Sequence, residues 1–252
     1  MSSQLRTTVT TKLLPLFRCL QLHNTSDAHL LGEGSVGSVF KIQDDRGVSL
    51  AVKIRILENE NDKESSKKEV ENQKAFWPFA PKVFFFDIEI VNETRFSIFG
   101  MELIDKELDV YLSTPRHLIQ LELVVWQVKN LLKFLKRTRY THGDGCLFNM
   151  AFNSDKKLIF IDFDQSSTKI HSPKLDLLRL FGEFFAAYRS TGTARLHPDN
   201  VKYLRKYGFP KWQKVFPDII IPSKDAYQLD HQWGFAYNDF VTKAGLRHVT
   251  LV

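Results

Sequence analysis

Residues 140–149 read YTHGDGCLFN, and residues 157–164 read KLIFIDFD. The first stretch follows a long helical pattern and places His142, Asp144 and Asn149 on one short loop. An aspartate and an asparagine at this spacing can orient an attacking hydroxyl and hold a magnesium ion. A turn rich in glycine and aspartate, or a helix cap, would account for the same residue types. These residues alone therefore do not distinguish a catalytic loop from a turn or a helix cap.

The second stretch is an apolar strand that ends in two acidic residues, Asp162 and Asp164. Magnesium prefers hard oxygen ligands, and the end of a strand fixes the direction in which a carboxylate points. The pattern predicts Asp162 as a metal ligand, with Asp164 as a second acid that could approach the same ion. An apolar strand ending in aspartate is common, so this stretch is informative only beside the first.

A glycine-rich segment lies upstream, where residues 31–39 read LGEGSVGSV. Gly32, Gly34 and Gly37 would let backbone N–H groups come close to phosphate oxygens. The apolar alternation continues after the loop in residues 40–42, which predicts a strand on both sides of it. A dinucleotide-binding loop would instead open a helix. An ordinary hairpin turn and a nucleotide-binding loop both remain open at this point.

The next segment, residues 50–54, reads LAVKI, with alternate apolar residues on one face and Ala51 and Lys53 on the other. A lysine on the face opposite the core is either a solvent-exposed edge residue or a candidate phosphate ligand in a cleft. A buried ammonium group needs a carboxylate partner. The helical pattern further on offers two such partners, Glu69 and Glu71.

The periodicity changes once along the chain. Residues 29–104 are rich in strand patterns, with one charged segment, residues 58–74, that reads as a loop running into a helix. Seven apolar residues then lie on one face of a long amphipathic helix; they are Leu121, Val124, Val125, Val128, Leu131, Leu132 and Leu135. Helices are expected to dominate from there to residue 252. The predicted fold class is α+β, with a lead-in over residues 1–28.

Composition restricts the function only weakly. The formal charge of +6 favours anionic partners, and nucleic acid is not indicated beyond this basic charge. Two cysteines are too few for a disulfide framework, which predicts an intracellular, cytoplasmic protein. Residues 1–26 contain no acid, a composition that organelle transit peptides share, but their apolar residues recur at helical spacing. This spacing favours an amphipathic lead-in packed on the strand-rich part, with organelle targeting as the alternative. No stretch approaches the roughly 20 apolar residues of a membrane span.

Over residues 31–185 the chain resembles the protein-kinase-like superfamily. Five segments carry the resemblance, in chain order: the glycine-rich segment, the strand with Lys53, the helix with Glu69, the HGD loop and the strand before Asp162. The HGD sequence is more similar to small atypical kinases, the RIO-type and aminoglycoside-phosphotransferase-type enzymes, than to ordinary protein kinases with HRD. The resemblance implies a two-lobed fold. Residues 29–104 would form a small lobe with an antiparallel sheet and one helix, and residues 105–252 a mainly helical large lobe. It also implies ATP and Mg²⁺ as cofactors.

The resemblance implies roles for individual residues. Lys53 would hold phosphates and pair with Glu69, which occupies the better position in a kinase-like E-V-x-x-Q pattern. Asp144 would be the catalytic aspartate, and Asn149 and Asp162 would bind the metal. The residues expected around the nucleotide, with Met101 as gatekeeper and the backbone of 102–104 at the adenine edge, are Leu31, Gly32, Gly34, Gly37, Val39, Ala51, Met101, Glu102 and Ile104.

Three features depart from ordinary protein kinases. Cys146 stands where a Ser/Thr kinase has a lysine, and Asp164 replaces the glycine of DFG. No APE motif follows in the short segment before Asp176, which resembles the buried aspartate that braces the catalytic loop. Residues 190–252 carry aromatic residues but no recognised motif.

The predicted function is an Mg-ATP-dependent kinase that transfers the γ-phosphoryl group to a hydroxyl, with Ser or Thr of a protein substrate as the acceptor. The missing APE motif and the HGD sequence suggest a small-molecule phosphotransferase as the alternative. Cys146 and Asp164 suggest a second alternative, a pseudokinase that binds nucleotide as a scaffold.

Overall fold

The structure, a computed structural model, describes residues 28–34, 37–43, 47–91, 93–164, 166, 176, 177, 180 and 196–217. These residues form an α+β architecture, as predicted, with an antiparallel five-stranded sheet, a smaller three-stranded sheet and several helices. The lead-in before residue 28 and the residues after 217 lie outside the described part. None of the described helices has the length and apolar content needed to cross a membrane.

The larger sheet has the strand order β1-β2-β3-β5-β4, and every neighbouring pair is antiparallel. Its strands are β1 (His29–Glu33), β2 (Ser38–Gln43), β3 (Ser49–Leu57), β4 (Val83–Val91) and β5 (Thr94–Glu102). The alternation predicted for residues 50–54 is present, because Val52 and Ile54 join a buried cluster on one face of the sheet. The other members of that cluster are Phe40, Ile42, Phe96 and Ile98.

Helix α1 (Glu60–Ala75) crosses from β3 to β4 and confirms the helix predicted within residues 58–74. It begins with a capping box, in which the Asn59 side chain accepts from the Asp62 backbone and the Asp62 side chain accepts from the Asn59 backbone. Its buried residues are mostly polar, namely Ser66, Glu69, Val70, Asn72 and Gln73. Their polar groups therefore require partners inside the protein.

The chain then forms β6 (Lys106–Glu107), helix α2 (Leu108–Leu112) and the long helix α3 (Leu118–Thr138). All seven apolar residues predicted on one face of α3 are buried. A 3₁₀ turn (Leu147–Asn149) leads into β7 (Met150–Phe152) and β8 (Leu158–Phe160), and β6, β7 and β8 form the smaller antiparallel sheet. The strand predicted before Asp162 is present as β8. Strands β6 and β7 were not predicted, because they are too short for a sequence to show their alternation.

The last described segment packs against α3. Helix α4 (Pro198–Tyr203) continues through a π-helical turn (Leu204–Gly208) into helix α5 (Phe209–Gln213). Trp212 is fully buried, and its indole N–H donates to the carbonyl of Val125 on α3 at 2.9 Å. Asp176, Leu177 and Leu180 are buried too, in a segment most of which lies outside the described residues.

Candidate functional site

A cavity of about 660 Å³ lies between the larger sheet and the segments that follow it. Its walls come from the β1–β2 hairpin, β3, α1, the end of β5, residues 103–107, α2, residues 148–149 and the segment after β8. All the predicted nucleotide- and metal-contacting residues line it; these are Leu31, Gly32, Gly34, Gly37, Val39, Ala51, Lys53, Glu69, Met101, Glu102, Ile104, Asn149 and Asp162. Asp144, the predicted catalytic residue, adjoins the wall through Asn149.

Lys53 is held between two carboxylates inside this cavity. Its ammonium nitrogen lies 2.5 Å from Glu69 Oε1 and 3.2 Å from Asp162 Oδ1. Lys53 and Glu69 are buried, whereas Asp162 is about half exposed toward the cavity. Glu71, the alternative partner, is exposed on the other side of α1. The structure therefore contains the predicted Lys53–Glu69 pair.

Burial and charge act in opposite directions on this pair. Burial lowers the pKa of Lys53, but the charges and hydrogen bonds of Glu69 and Asp162 raise it by more, so the amine stays protonated. Burial raises the pKa of the Glu69 carboxyl, and Lys53 opposes that shift. The result is a fixed positive charge in the cavity, with Asp162 as its more exposed neighbour.

Asp162 follows β8 with a backbone φ of 63°, a left-handed conformation that is uncommon for residues other than glycine. Its predecessor, Ile161, is held on both sides. The Ile161 N–H donates to the Asn149 carbonyl at 2.9 Å, and the Ile161 carbonyl lies 3.0 Å from Nε2 of His142. These two contacts fix the end of the strand and with it the direction in which the Asp162 carboxylate points.

The loop that contains the HGD sequence holds Asp144 and Asn149 together. The Asn149 side-chain amide donates to Asp144 Oδ2 at 2.8 Å and to the Asp144 carbonyl at 3.0 Å. Because both contacts use the amide nitrogen, the side-chain oxygen of Asn149 is the atom that it can offer to a metal ion. The two residue types predicted to act together are thus in direct contact.

Asp176 holds this loop through hydrogen bonds to its backbone. Its two carboxylate oxygens accept the backbone N–H groups of His142 at 2.7 Å and Gly143 at 2.9 Å. Gly145 passes so close that a Cβ atom there would lie 2.8 Å from the Asp176 Cβ. The bracing role that the sequence suggested for Asp176 therefore corresponds to two hydrogen bonds in the structure.

His142 lies behind the loop, in a cluster of aromatic rings. Its imidazole stacks on Phe160 at a centroid distance of 4.7 Å and contacts the edges of Phe76 and Phe163. Burial lowers the pKa of His142 to about 4, so the ring is neutral at physiological pH. Since Nε2 faces the carbonyl of Ile161, Nε2 carries the proton in the neutral ring.

Several residues of the site were not predicted. Phe76, at the end of α1, contacts both His142 and Phe163 and so joins the helix to the HGD loop and to the residue after Asp162. The Asn72 amide donates to the carbonyl of Ser166 at 2.7 Å, which joins α1 to the segment after Asp164. No local pattern marks either residue, because each contact spans a long stretch of chain.

The donor set fits a magnesium ion bound together with phosphate. Asn149 and Asp162 present oxygen ligands to the cavity, and Asp164 also lines it. Magnesium in such sites takes one or two protein carboxylates and completes its shell with phosphate and water. Within the described segments, no group of three or more His, Cys, Asp or Glu side chains could hold a metal ion. Cys146 is buried and does not line the cavity.

These contacts define one cavity with a fixed lysine, an Asp–Asn pair and a strand-end aspartate. Such a set can bind an anionic ligand at Lys53 and place a carboxylate beside it. No protein-family model matches the chain, and a comparison with curated proteins found no similar sequence.

Proposed function

We propose that the chain is an ATP-dependent kinase with a two-lobed, protein-kinase-like fold, in which residues 29–104 form the small lobe and the residues after 104 the large lobe. One observation carries this proposal. Lys53 and Asp162, which are 109 residues apart in sequence, meet in the same cavity that the Asp144–Asn149 pair adjoins. Nucleotide phosphates need such a cation, and phosphoryl transfer needs a carboxylate to orient the acceptor.

Each residue has a chemical role in the proposed reaction. Lys53 holds the α- and β-phosphates of ATP, and Glu69 keeps its ammonium group in place. Asp144 orients the acceptor hydroxyl and accepts its proton. The acceptor oxygen forms a bond to the γ-phosphorus as the bond to the β,γ-bridging oxygen breaks, and ADP leaves. Magnesium, held by Asn149 and Asp162, would neutralise charge on the phosphates.

The acceptor that we propose is a Ser or Thr hydroxyl of a protein. A small hydroxylated molecule is the second candidate, because the chain lacks an APE motif and leaves only residues 165–175 between Asp164 and the bracing Asp176. A shorter segment at this place offers less surface on which a peptide could dock. A transfer assay with both kinds of acceptor separates the two candidates.

The test uses the purified full chain, radiolabelled ATP and Mg²⁺, with generic acceptor proteins and a panel of small hydroxylated compounds. We expect the wild type to transfer phosphate and Asp144→Asn to lose at least about 100-fold in rate, because the acceptor hydroxyl loses its base. Nucleotide affinity should be retained in this variant. Asp155→Asn, at an exposed aspartate outside the cavity, is the matched control and should behave as the wild type does.

Three outcomes separate the candidates. Transfer to proteins supports the protein kinase, and transfer to small compounds alone supports the second candidate. Nucleotide binding without any transfer would contradict the kinase proposal and support the pseudokinase alternative.

A further inference from the structure

Helix α3 presents apolar side chains on its outer face as well as on the face packed in the core. Ile119, Leu123 and Trp126 are 81%, 46% and 61% exposed. They are spaced four and three residues apart, so they form one stripe along the helix. The same spacing continues to Lys133 and Arg137, which are also exposed. The outer stripe of α3 is thus apolar in its first half and basic in its second half.

A second cavity, of about 550 Å³, lies beside the basic half of this stripe. Phe79, Phe134 and Trp126 give it aromatic walls, and Lys133, Arg137 and Lys157 bring positive charge. The other residues that line it are Pro78, Gln127, Asn130 and Leu158, so it has no acidic wall residue among the described segments. It shares no residue with the cavity that contains Lys53.

The cations of this surface are available to a partner. Lys133 and Arg137 form no ion pair with any residue of the described segments, and Lys157 has only a 3.8 Å contact with Asp155. Exposed tryptophan beside exposed isoleucine and leucine is unusual for a surface that faces only water. Apolar anchors with cations at one end are complementary to an amphipathic segment that is acidic at one end.

We propose that the outer stripe of α3 and the cavity beside it bind an acidic amphipathic helix of a partner protein. The partner would place apolar residues, three and four apart, against Ile119, Leu123 and Trp126. Its Asp or Glu residues would meet Lys133 and Arg137. The proposal does not depend on kinase activity, because none of these residues lines the cavity that contains Lys53.

A second copy of the chain fits this surface poorly. Parallel pairing of two α3 helices would place Lys133 and Arg137 against the same cations of the other copy. Antiparallel pairing would place those cations against Ile119 and Leu123 instead. Neither arrangement gives the cations a carboxylate partner, whereas an acidic helix does.

The test is a display library of random peptides of about 20 residues, long enough to follow the roughly 30 Å of α3. It is selected on the immobilised full chain, on the variant Trp126→Ala/Lys133→Glu/Arg137→Glu, and on the control Lys68→Glu/Lys74→Glu, which changes two exposed lysines of α1. We expect enrichment of acidic peptides with apolar residues three and four apart on the wild type and the control only. By fluorescence anisotropy, these peptides should bind the triple variant at least about tenfold more weakly.

The contrary results are equally clear. Enriched peptides that bind the triple variant as well as the wild type, enriched peptides that are basic, or no enrichment dependent on α3 would overturn the proposal. So would a dimer, measured by light scattering, that the triple variant abolishes. Thermal unfolding shows whether the variant is folded, and Lys133→Gln/Arg137→Gln replaces it in the binding assay if it is not.

Discussion

At the scale of single residues, His142 differs from the other polar groups of the site. Its Nε2 faces the carbonyl of Ile161, but its Nδ1 has no hydrogen-bond partner in the described part of the chain. The ring is almost completely buried among Phe76, Phe160 and Phe163. A second proton would place a charge in this apolar cluster, which explains why the pKa of His142 is lowered to about 4.

This lowered pKa predicts a pH dependence of stability. In the unfolded chain the His142 imidazole, with a pKa of 6.5, binds a proton as the pH falls, whereas the folded chain resists protonation down to about pH 4. The stability contributed by the neutral ring is therefore complete above pH 6.5 and declines between pH 6.5 and about 4. The loss from this one group is on the order of 3 kcal/mol.

Urea unfolding of the wild type and His142→Phe across this pH range measures the effect. The variant keeps an aromatic ring but has no proton to gain, so its free energy of unfolding should fall less between pH 6.5 and 4 than that of the wild type. Other groups titrate in both proteins and cancel in the difference. Parallel curves for the two proteins would show that His142 does not titrate in this way.

At the scale of elements, the β1–β2 hairpin contains glycines in different surroundings. A Cβ atom added at Gly37 would lie 2.6 Å from the backbone oxygen of Ile54 on β3. The same atom at Gly32 would meet nothing within 4 Å. Close packing of the hairpin against β3 thus requires glycine at position 37, while position 32 has room for a side chain.

These two glycines form a matched pair for mutation. We expect Gly37→Ala to lower the free energy of unfolding by about 1–3 kcal/mol, because the hairpin has to move away from β3. Gly32→Ala should stay close to the wild type in the absence of nucleotide. Chemical unfolding of the three proteins tests this. Equal losses in both variants would mean that backbone freedom, rather than contact with β3, determines the requirement for glycine.

At the scale of the whole molecule, the cavity with Lys53 lies between two buried clusters. One cluster belongs to the larger sheet, and the other joins Phe76 and Ala80 to apolar residues of α2, α3 and the segments after them. The Lys53–Asp162 contact and the Asn72–Ser166 hydrogen bond join the two sides. A ligand that touches both walls of the cavity would bind the folded chain and not the unfolded one, and would stabilise it.

The proposed function therefore predicts a thermal shift. At a concentration of about 100 times its Kd, Mg-ATP should add about 2.7 kcal/mol, which is roughly 5–10 °C in Tm for a chain of this size. Asp162→Asn should reduce the magnesium-dependent part of the shift, because it removes one charged ligand of the ion. Differential scanning fluorimetry with ATP, in the presence of magnesium or a chelator, measures both effects.

The matched control is Asp155→Asn, which lies outside the cavity and should shift as the wild type does. An equal response of Asp162→Asn and the wild type to magnesium would contradict the role proposed for Asp162. The absence of any shift at millimolar nucleotide would contradict nucleotide binding itself.

Local sequence patterns were enough for much of this fold. The alternation around Val52 and Ile54 and the helical spacing along α3 predicted which faces are buried, since each pattern depends only on neighbouring residues and on the period of the backbone. The short distance in sequence between Asp144 and Asn149 likewise predicted that they would act together, and they form a direct hydrogen bond.

Only the tertiary structure decided which partner each buried charge has. Glu69 and Glu71 are two residues apart on α1, and the mostly polar inner face of that helix carries no apolar stripe to show which of them turns inward. Packing of α1 on β3 brings Glu69 to Lys53, and the same packing brings Phe76 to His142. The sequence did not predict the exposed apolar stripe of α3 for a related reason. Apolar residues lie on two faces of this helix, and only packing decides which face is buried.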